Sequence, residues 1–172
     1  ACGYHAGDPQ VMQKTVALAK QHQVKIGAHP SYPDRQGFGR RSMQLNPEEI
    51  ENIITYQLGA LSGMCQSQAC ELAYLKPHGA LYHDMMKNDE VLFAILSALQ
   101  KFNPEMPLLM MATMNNDLFK LKADDFGVTV MFEAFADRAY DDQGFLVSRS
   151  MEGAVLKTPN QILNRAIQLK EQ

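Results

Sequence analysis

The chain has no tryptophan and only three cysteines, Cys2, Cys65 and Cys70, among 172 residues. An odd and sparse set gives no disulfide framework. Cys65 and Cys70 stand five apart, which is not zinc-ribbon spacing. They read as small buried apolar residues of a reducing compartment, the cytoplasm. Charge is also scarce: 20% of residues are charged and the net charge is -3. That excludes the basic footprint of a nucleic-acid binder or an anionic-membrane binder. No apolar run approaches the roughly 20 residues of a membrane helix, and no signal peptide is visible. Several phosphate and catalytic signatures are missing too. "GFGRRS" at 37–42 lacks the third glycine of a dinucleotide fingerprint, and there is no GxxxxGK[ST] and no HExxH. "DFG" at 125–127 has no kinase catalytic loop or strand lysine beside it, so Gly127 reads as a helix stop. No serine sits in a nucleophile elbow, and there are no repeats.

What is present is an ordinary globular composition, 46% hydrophobic, and enough length for a single domain spanning residues 1–172 with its own core. Asp8 and Pro9 suit the N-cap and first position of a helix over about 9–22, with Val11, Met12, Thr15, Val16 and Ala19 at helical spacing. "VKIGA" at 24–28 predicts a buried strand. Residues 30–45 lack periodicity, and a loop of that length in a compact domain is usually functional. Asn46, Pro47 and Glu49 form a capping pattern. They open a long helix with Ile50, Ile53, Ile54, Leu58, Leu61 and Cys65 on one face. "ELAYL" at 71–75, "PLLMMA" at 107–112 and "VTVMF" at 128–132 predict three more strands. Helices are expected near 79–86, 89–101, 115–123 and 159–170, the last burying Ile162, Leu163, Ala166 and Ile167. Helix and strand alternate throughout, the mark of an α/β fold with a parallel sheet. Right-handed crossovers bring the C-terminal ends of the strands to one side, where the chemistry of such folds sits.

The histidines fall on that side. His5, His29 and His78 each stand at a strand end or directly before a helix. Lys76 precedes Pro77, which biases it to extended geometry, so Lys76 and His78 share a direction. Asp8, Asp34, Glu133 and Asp137 follow strand ends or a proposed one, although Asp8 is equally a helix cap. Imidazoles with carboxylates suit general acid–base hydrolysis, or a divalent metal that activates water; His5, His29 and His78 are the candidate metal ligands. Arg35, Arg40 and Arg41 flank "GFG", and arginine forks grip phosphate or carboxylate.

Five stretches, "ACGYHAGDP" (1–9), "IGAHPSYPDRQGFGRR" (26–41), "LKPHGALYH" (75–83), "FADRAYDDQG" (135–144) and "LVSRSMEGAV" (146–155), resemble the LamB/YcsF family, that of the A subunit of ATP-hydrolysing 5-oxoprolinase. The resemblance implies a seven-stranded parallel β/α barrel of the glycoside hydrolase/deacetylase kind. Two family segments, a "DLNCDLGE"-like strand and a "VHGD"-like strand, are not among these residues, so the barrel is expected here without its N- and C-terminal strands. The implied activity is ATP-dependent opening of 5-oxo-L-proline to L-glutamate, together with partner subunits B and C. In that setting His5, Asp8, His29, Lys76, His78, Glu133 and Asp137 are the expected catalytic residues. Arg40, Arg41 and Arg138 are the expected phosphate contacts. Two other readings use the same fold: a metal-dependent amide hydrolase or deacetylase without ATP, and a non-catalytic ligand-binding barrel.

Overall fold

The computed structural model describes residues 1–142, 144–149 and 151–171. Its elements run α1 (Pro9–Gln21), β1 (Ile26–Ala28), α2 (Pro47–Gln66), β2 (Leu72–Leu75), α3 (Gly79–Met85), α4 (Asp89–Phe102), β3 (Leu108–Met111), α5 (Asn116–Asp124), β4 (Val130–Glu133) and α6 (Pro159–Glu171). The four strands form one sheet in the order β1-β2-β3-β4. β1 pairs with β2, and β2 with β3, in parallel. The amides of Leu108 and Ala112 donate to the carbonyls of Thr129 and Glu133, advancing together along both segments as parallel strands do. The architecture is therefore α/β with a parallel sheet. No helix is long and apolar enough to cross a membrane among the described residues.

The first and last strands begin two residues later than the apolar runs predict. The cause is the way the helices end. After α1, α2 and α5, a residue with positive φ (Gln23, Ala69, Gly127) closes a Schellman turn. The amides of Val24, Cys70 and Val128 then donate back to Ala19, Cys65 and Ala123. Val24 and Val128 are thus used by the preceding helix, and Val24 is 60% exposed.

The chain forms two compact units, one of residues Ala1–Met110 and Leu118–Met131, the other of Met111–Asp117 and Phe132–Gln172. In the first, the core lies chiefly between α2 and α4. Asn46 and Glu49 complete a capping box that starts α2. Ile50, Ile54, Leu58 and Leu61 are buried on α2, and Val91, Leu92, Ile95, Leu96 and Leu99 on α4. Each such side chain contributes about 1.5–3 kcal/mol by leaving water. Ile53 is half-buried, and the buried stripe of α2 is completed by a polar residue, Gln57.

In the second unit, Arg138 and Val155, and Tyr140 and Leu146, pair across short antiparallel bridges. Here α6 departs from expectation. Leu163 and Ile167 are 58% and 48% exposed, and none of Ile162, Leu163, Ala166 and Ile167 is fully buried. The helical period is present, but Leu163, Ala166 and Ile167 are exposed and only Ile162 is half-buried.

Candidate active site

The site is built where β1 and β2 end. His29 follows β1, and the Lys76 amide, following β2, donates to the Ala28 carbonyl. His78 lies two residues further on, its amide donating to the Pro30 carbonyl at 2.7 Å. Gly79 then starts α3 with φ near +59°. A Cβ there would lie 2.3 Å from the Gly39 carbonyl oxygen, so only glycine lets the 30–41 loop rest against this junction. The Ala80 amide donates to that same carbonyl at 2.9 Å. The loop is pinned from within by Asp34, which is 6% exposed. Asp34 accepts from the Gly37 amide and from the Arg41 guanidinium, and the guanidinium holds its carboxyl down to about 2.

His5, His29 and His78 meet there. The rings of His5 and His78 stack with centroids 3.9 Å apart and planes 6° apart. His29 stands edge-on to both, at 5.8 and 4.8 Å. Phe38 meets the stacked pair with its own ring nearly perpendicular, at 5.3 and 5.2 Å.

The hydrogen bonds fix where the protons sit. A backbone carbonyl only accepts. His29 Nδ1 lies 2.6 Å from the Lys76 carbonyl oxygen and His78 Nε2 lies 2.9 Å from that of Phe38, so each bond needs an N–H. Between the two rings, His78 Nδ1 and His29 Nε2 are 2.9 Å apart. Two neutral imidazoles bring two N–H groups to these three contacts. One additional proton completes the row.

Burial is the main force that keeps the rings neutral. It pushes His5 down to about 3, helped by the charges of His78 and His29. It pushes His29 down to about 4, against the Lys76 carbonyl bond and with the His78 and Lys76 charges. His78 is lowered by burial and by the Arg40 charge. The positive charges of Lys76 and Arg40 are therefore felt in the site.

A metal held by all three rings does not fit this arrangement. An ion bound by an imidazole nitrogen lies in the plane of that ring, and the stacked planes of His5 and His78 do not meet near the site. Among the described residues, no three His, Cys, Asp or Glu side chains converge as a metal requires.

The remaining expected residues are placed as follows. Lys76 directs its ammonium over the Tyr82 ring at 6.0 Å. Asp8 is exposed and caps α1, accepting from the Val11 amide at 2.9 Å; among the described residues no hydrogen bond or ion pair joins it to the histidines. It is a helix cap, because its carboxylate satisfies an amide that the first turn leaves open. Arg40 is exposed, its guanidinium 5.3 Å from the Phe38 centroid. Arg41 corrects the expectation of a phosphate contact: its Nε and Nη2 both donate to Asp34. Arg138 does so as well. It is 4% exposed, and its Nε and Nη2 donate to the carbonyls of Ala154 and Val147 at 3.2 and 2.6 Å. A buried guanidinium used this way holds backbone together. Glu133 ends β4, half-buried, and Asp137 is exposed with its carbonyl accepting from Leu156; both belong to the second unit.

Three features escaped the sequence reading. Ser31 is fully buried against His5, and Gln57 is fully buried against Ser31. Tyr32, also fully buried, donates to Asp84 at 3.0 Å, and Asp84 accepts from Ser42 at 2.9 Å. One signal was available: Gln57 is a polar residue at an apolar position of the α2 stripe.

Known proteins share this site-bearing region as a whole. The A subunit of a 5-oxoprolinase from Pseudomonas fluorescens is 52% identical over 167 residues, 97% of this chain and 67% of that protein. The one from Vibrio campbellii is 49% identical over 171 residues, 99% and 67% of the two chains. The crystal structure of a lactam utilization protein from Thermus thermophilus superposes with a TM-score of 0.87 at 40% identity, over 98% of this chain and 67% of that one. The chain thus spans about two thirds of the length of these relatives. Residues 1–172 match the LamB/YcsF family throughout, and the chain belongs to that family.

Proposed function

We propose that the chain acts, as part of the A subunit of a multi-subunit 5-oxoprolinase, in the ATP-dependent hydrolytic opening of 5-oxo-L-proline to L-glutamate. The relatives that bear the name of a 5-oxoprolinase support the reaction class. The observation that carries a catalytic part for this chain is the histidine cluster: three neutral imidazoles side by side, with Lys76 and Arg40 adding positive charge. The partners are subunits B and C, and the compartment is the cytoplasm.

A five-membered lactam is an unactivated amide, so its hydrolysis needs a better electrophile and managed protons. ATP supplies the first by phosphorylating the amide oxygen. The histidines manage the second. A neutral imidazole accepts a proton from the attacking water, and an imidazolium returns one to the departing ring nitrogen. The His29–His78 pair suits this transfer, because taking up one proton completes its row of hydrogen bonds. Arg40 and Lys76 suit the substrate carboxylate or the phosphoryl group. In the complete protein, we place this sheet in the seven-stranded barrel of the family.

The test uses the full-length protein with subunits B and C. His78→Ala is expected to lower ATP-dependent glutamate formation about 100-fold or more. Turnover at the wild-type rate overturns the catalytic reading of this chain.

A further inference from the structure

We propose that Ser31, clamped by Gln57, is a positioning residue that fixes His5 in its Nδ1–H tautomer and so presents a bare Nε2 to the site. The catalytic part of this inference rests on the function proposed above; the tautomer itself does not.

The contacts of Ser31 Oγ point to one assignment of protons. The hydroxyl lies 2.9 Å from the Tyr32 carbonyl oxygen, which also takes the Asp34 amide but only accepts, so an O–H between the two oxygens makes this contact attractive and directs the hydroxyl proton there. Ser31 Oγ also lies 2.8 Å from His5 Nδ1. With its proton committed, Oγ accepts at this second contact, and Nδ1 carries the hydrogen. A neutral imidazole has one N–H, so His5 Nε2 keeps its lone pair. No hydrogen bond to that nitrogen exists among the described residues.

Gln57 explains why Ser31 does not move. Its Oε1 accepts from the Ser31 amide and its Nε2 donates to the Ser31 carbonyl, both at 2.9 Å. The same Nε2 also donates to the Ile53 carbonyl within α2. Both polar groups of the Ser31 backbone are thus held by one side chain on a core helix. Gln57 and Ser31 are 0% exposed and His5 is 5% exposed, so water does not replace these bonds cheaply. An amide buried on the apolar stripe of a helix costs stability unless its hydrogen bonds are made. Here they are made to a residue whose hydroxyl orients an imidazole.

The arrangement has the logic of a catalytic histidine whose second nitrogen is held by a fixed acceptor, which sets both the ring's orientation and its tautomer. A serine that also donates elsewhere does this without adding a charge. That suits a ring already flanked by His29 and His78.

The test is 15N NMR of histidine-labelled full-length protein, with His5→Gln used to assign the signal. Wild-type His5 is expected as the Nδ1–H tautomer at neutral pH. Ser31→Ala is expected to give a mixture of tautomers, Gln57→Leu a smaller shift the same way, and Ser31→Thr the wild-type pattern. In the assembled enzyme Ser31→Ala is expected to lower kcat about 10- to 100-fold with little change in KM, rescued by Ser31→Thr. An Nε2–H tautomer in the wild type, or an unchanged signal in Ser31→Ala, overturns the proposal. A shifted tautomer with unchanged turnover upholds the positioning and overturns the role of His5 in the reaction. Folding of each variant is checked by its dispersed amide spectrum, and the wild-type tautomer together with the Gln57→Leu shift keeps the proposal falsifiable if Ser31→Ala does not fold.

Discussion

His5 and His78 lie face to face, with ring planes 6° apart and centroids 3.9 Å apart. Stacked imidazoles direct their in-plane lone pairs along parallel planes, so these two rings share neither a proton nor an ion; the contact that can share a proton is His78 Nδ1 with His29 Nε2, 2.9 Å apart. Dialysis of the full-length protein against a strong chelator is therefore expected to leave its histidine NMR signals and melting temperature unchanged. A stoichiometric zinc content that is lost together with a large drop in melting temperature contradicts this.

Acid is expected to destabilise the protein in the histidine range. His5 and His29 titrate at about 3 and about 4 in the folded chain, against an ordinary value of 6.5. Between those values the unfolded chain binds more protons, so stability rises with pH. The contribution is full above pH 6.5 and is lost progressively as pH falls toward 4 and then 3. Urea midpoints measured from pH 8 to pH 4 are expected to fall below pH 6.5. The His5→Gln variant is expected to fall less steeply.

Gly79→Ala is expected to separate the 30–41 loop from the start of α3. The new Cβ meets the Gly39 carbonyl oxygen at 2.3 Å, and the backbone is left-handed there. The strain alone costs about 1–3 kcal/mol. Denaturation should show that loss, and limited proteolysis should show faster cleavage in the loop. Unchanged stability and cleavage refute the close approach.

Gln23→Gly and Ala69→Gly are expected to stabilise the protein. Both residues hold positive φ, near 54° and 52°, to close Schellman turns. Glycine removes a Cβ penalty of about 1–2 kcal/mol and returns part of it as chain entropy, leaving a net gain of a few tenths to about 1 kcal/mol. Chemical denaturation of the single and double variants measures it, and the double variant reads the coupling carried by Lys20, whose carbonyl accepts from the Gln23 amide and whose ammonium donates to the Gln68 carbonyl beside Ala69.

The elements were readable because short-range rules produce them. Asp8 and Asn46 cap their helices as their positions demand, and the apolar runs give all four strands. The strand starts shifted where a left-handed residue kept a β-branched neighbour in the preceding helix turn, which propensity alone does not reveal. For α6, the apolar period correctly gave a helix, but burial needs a second surface, and period says nothing of that. In the site, His29 and His78 were placed by the ends of β1 and β2. Arg41 was read as a ligand contact from its side-chain chemistry and Arg138 from the family resemblance, yet each found an acceptor inside the protein.

By itself the sequence determined the alternation of strands and helices, the family, and the rim on which His29, Lys76 and His78 fall. Those follow from local spacing and from residues a few positions apart. The tertiary structure decided which imidazole nitrogens carry hydrogen, which arginines are engaged by the protein's own oxygens, and that Gln57 reaches Ser31. Those depend on contacts between residues such as 5, 31 and 57, distant in sequence, whose hydrogen-bond partners exist only once the chain has folded.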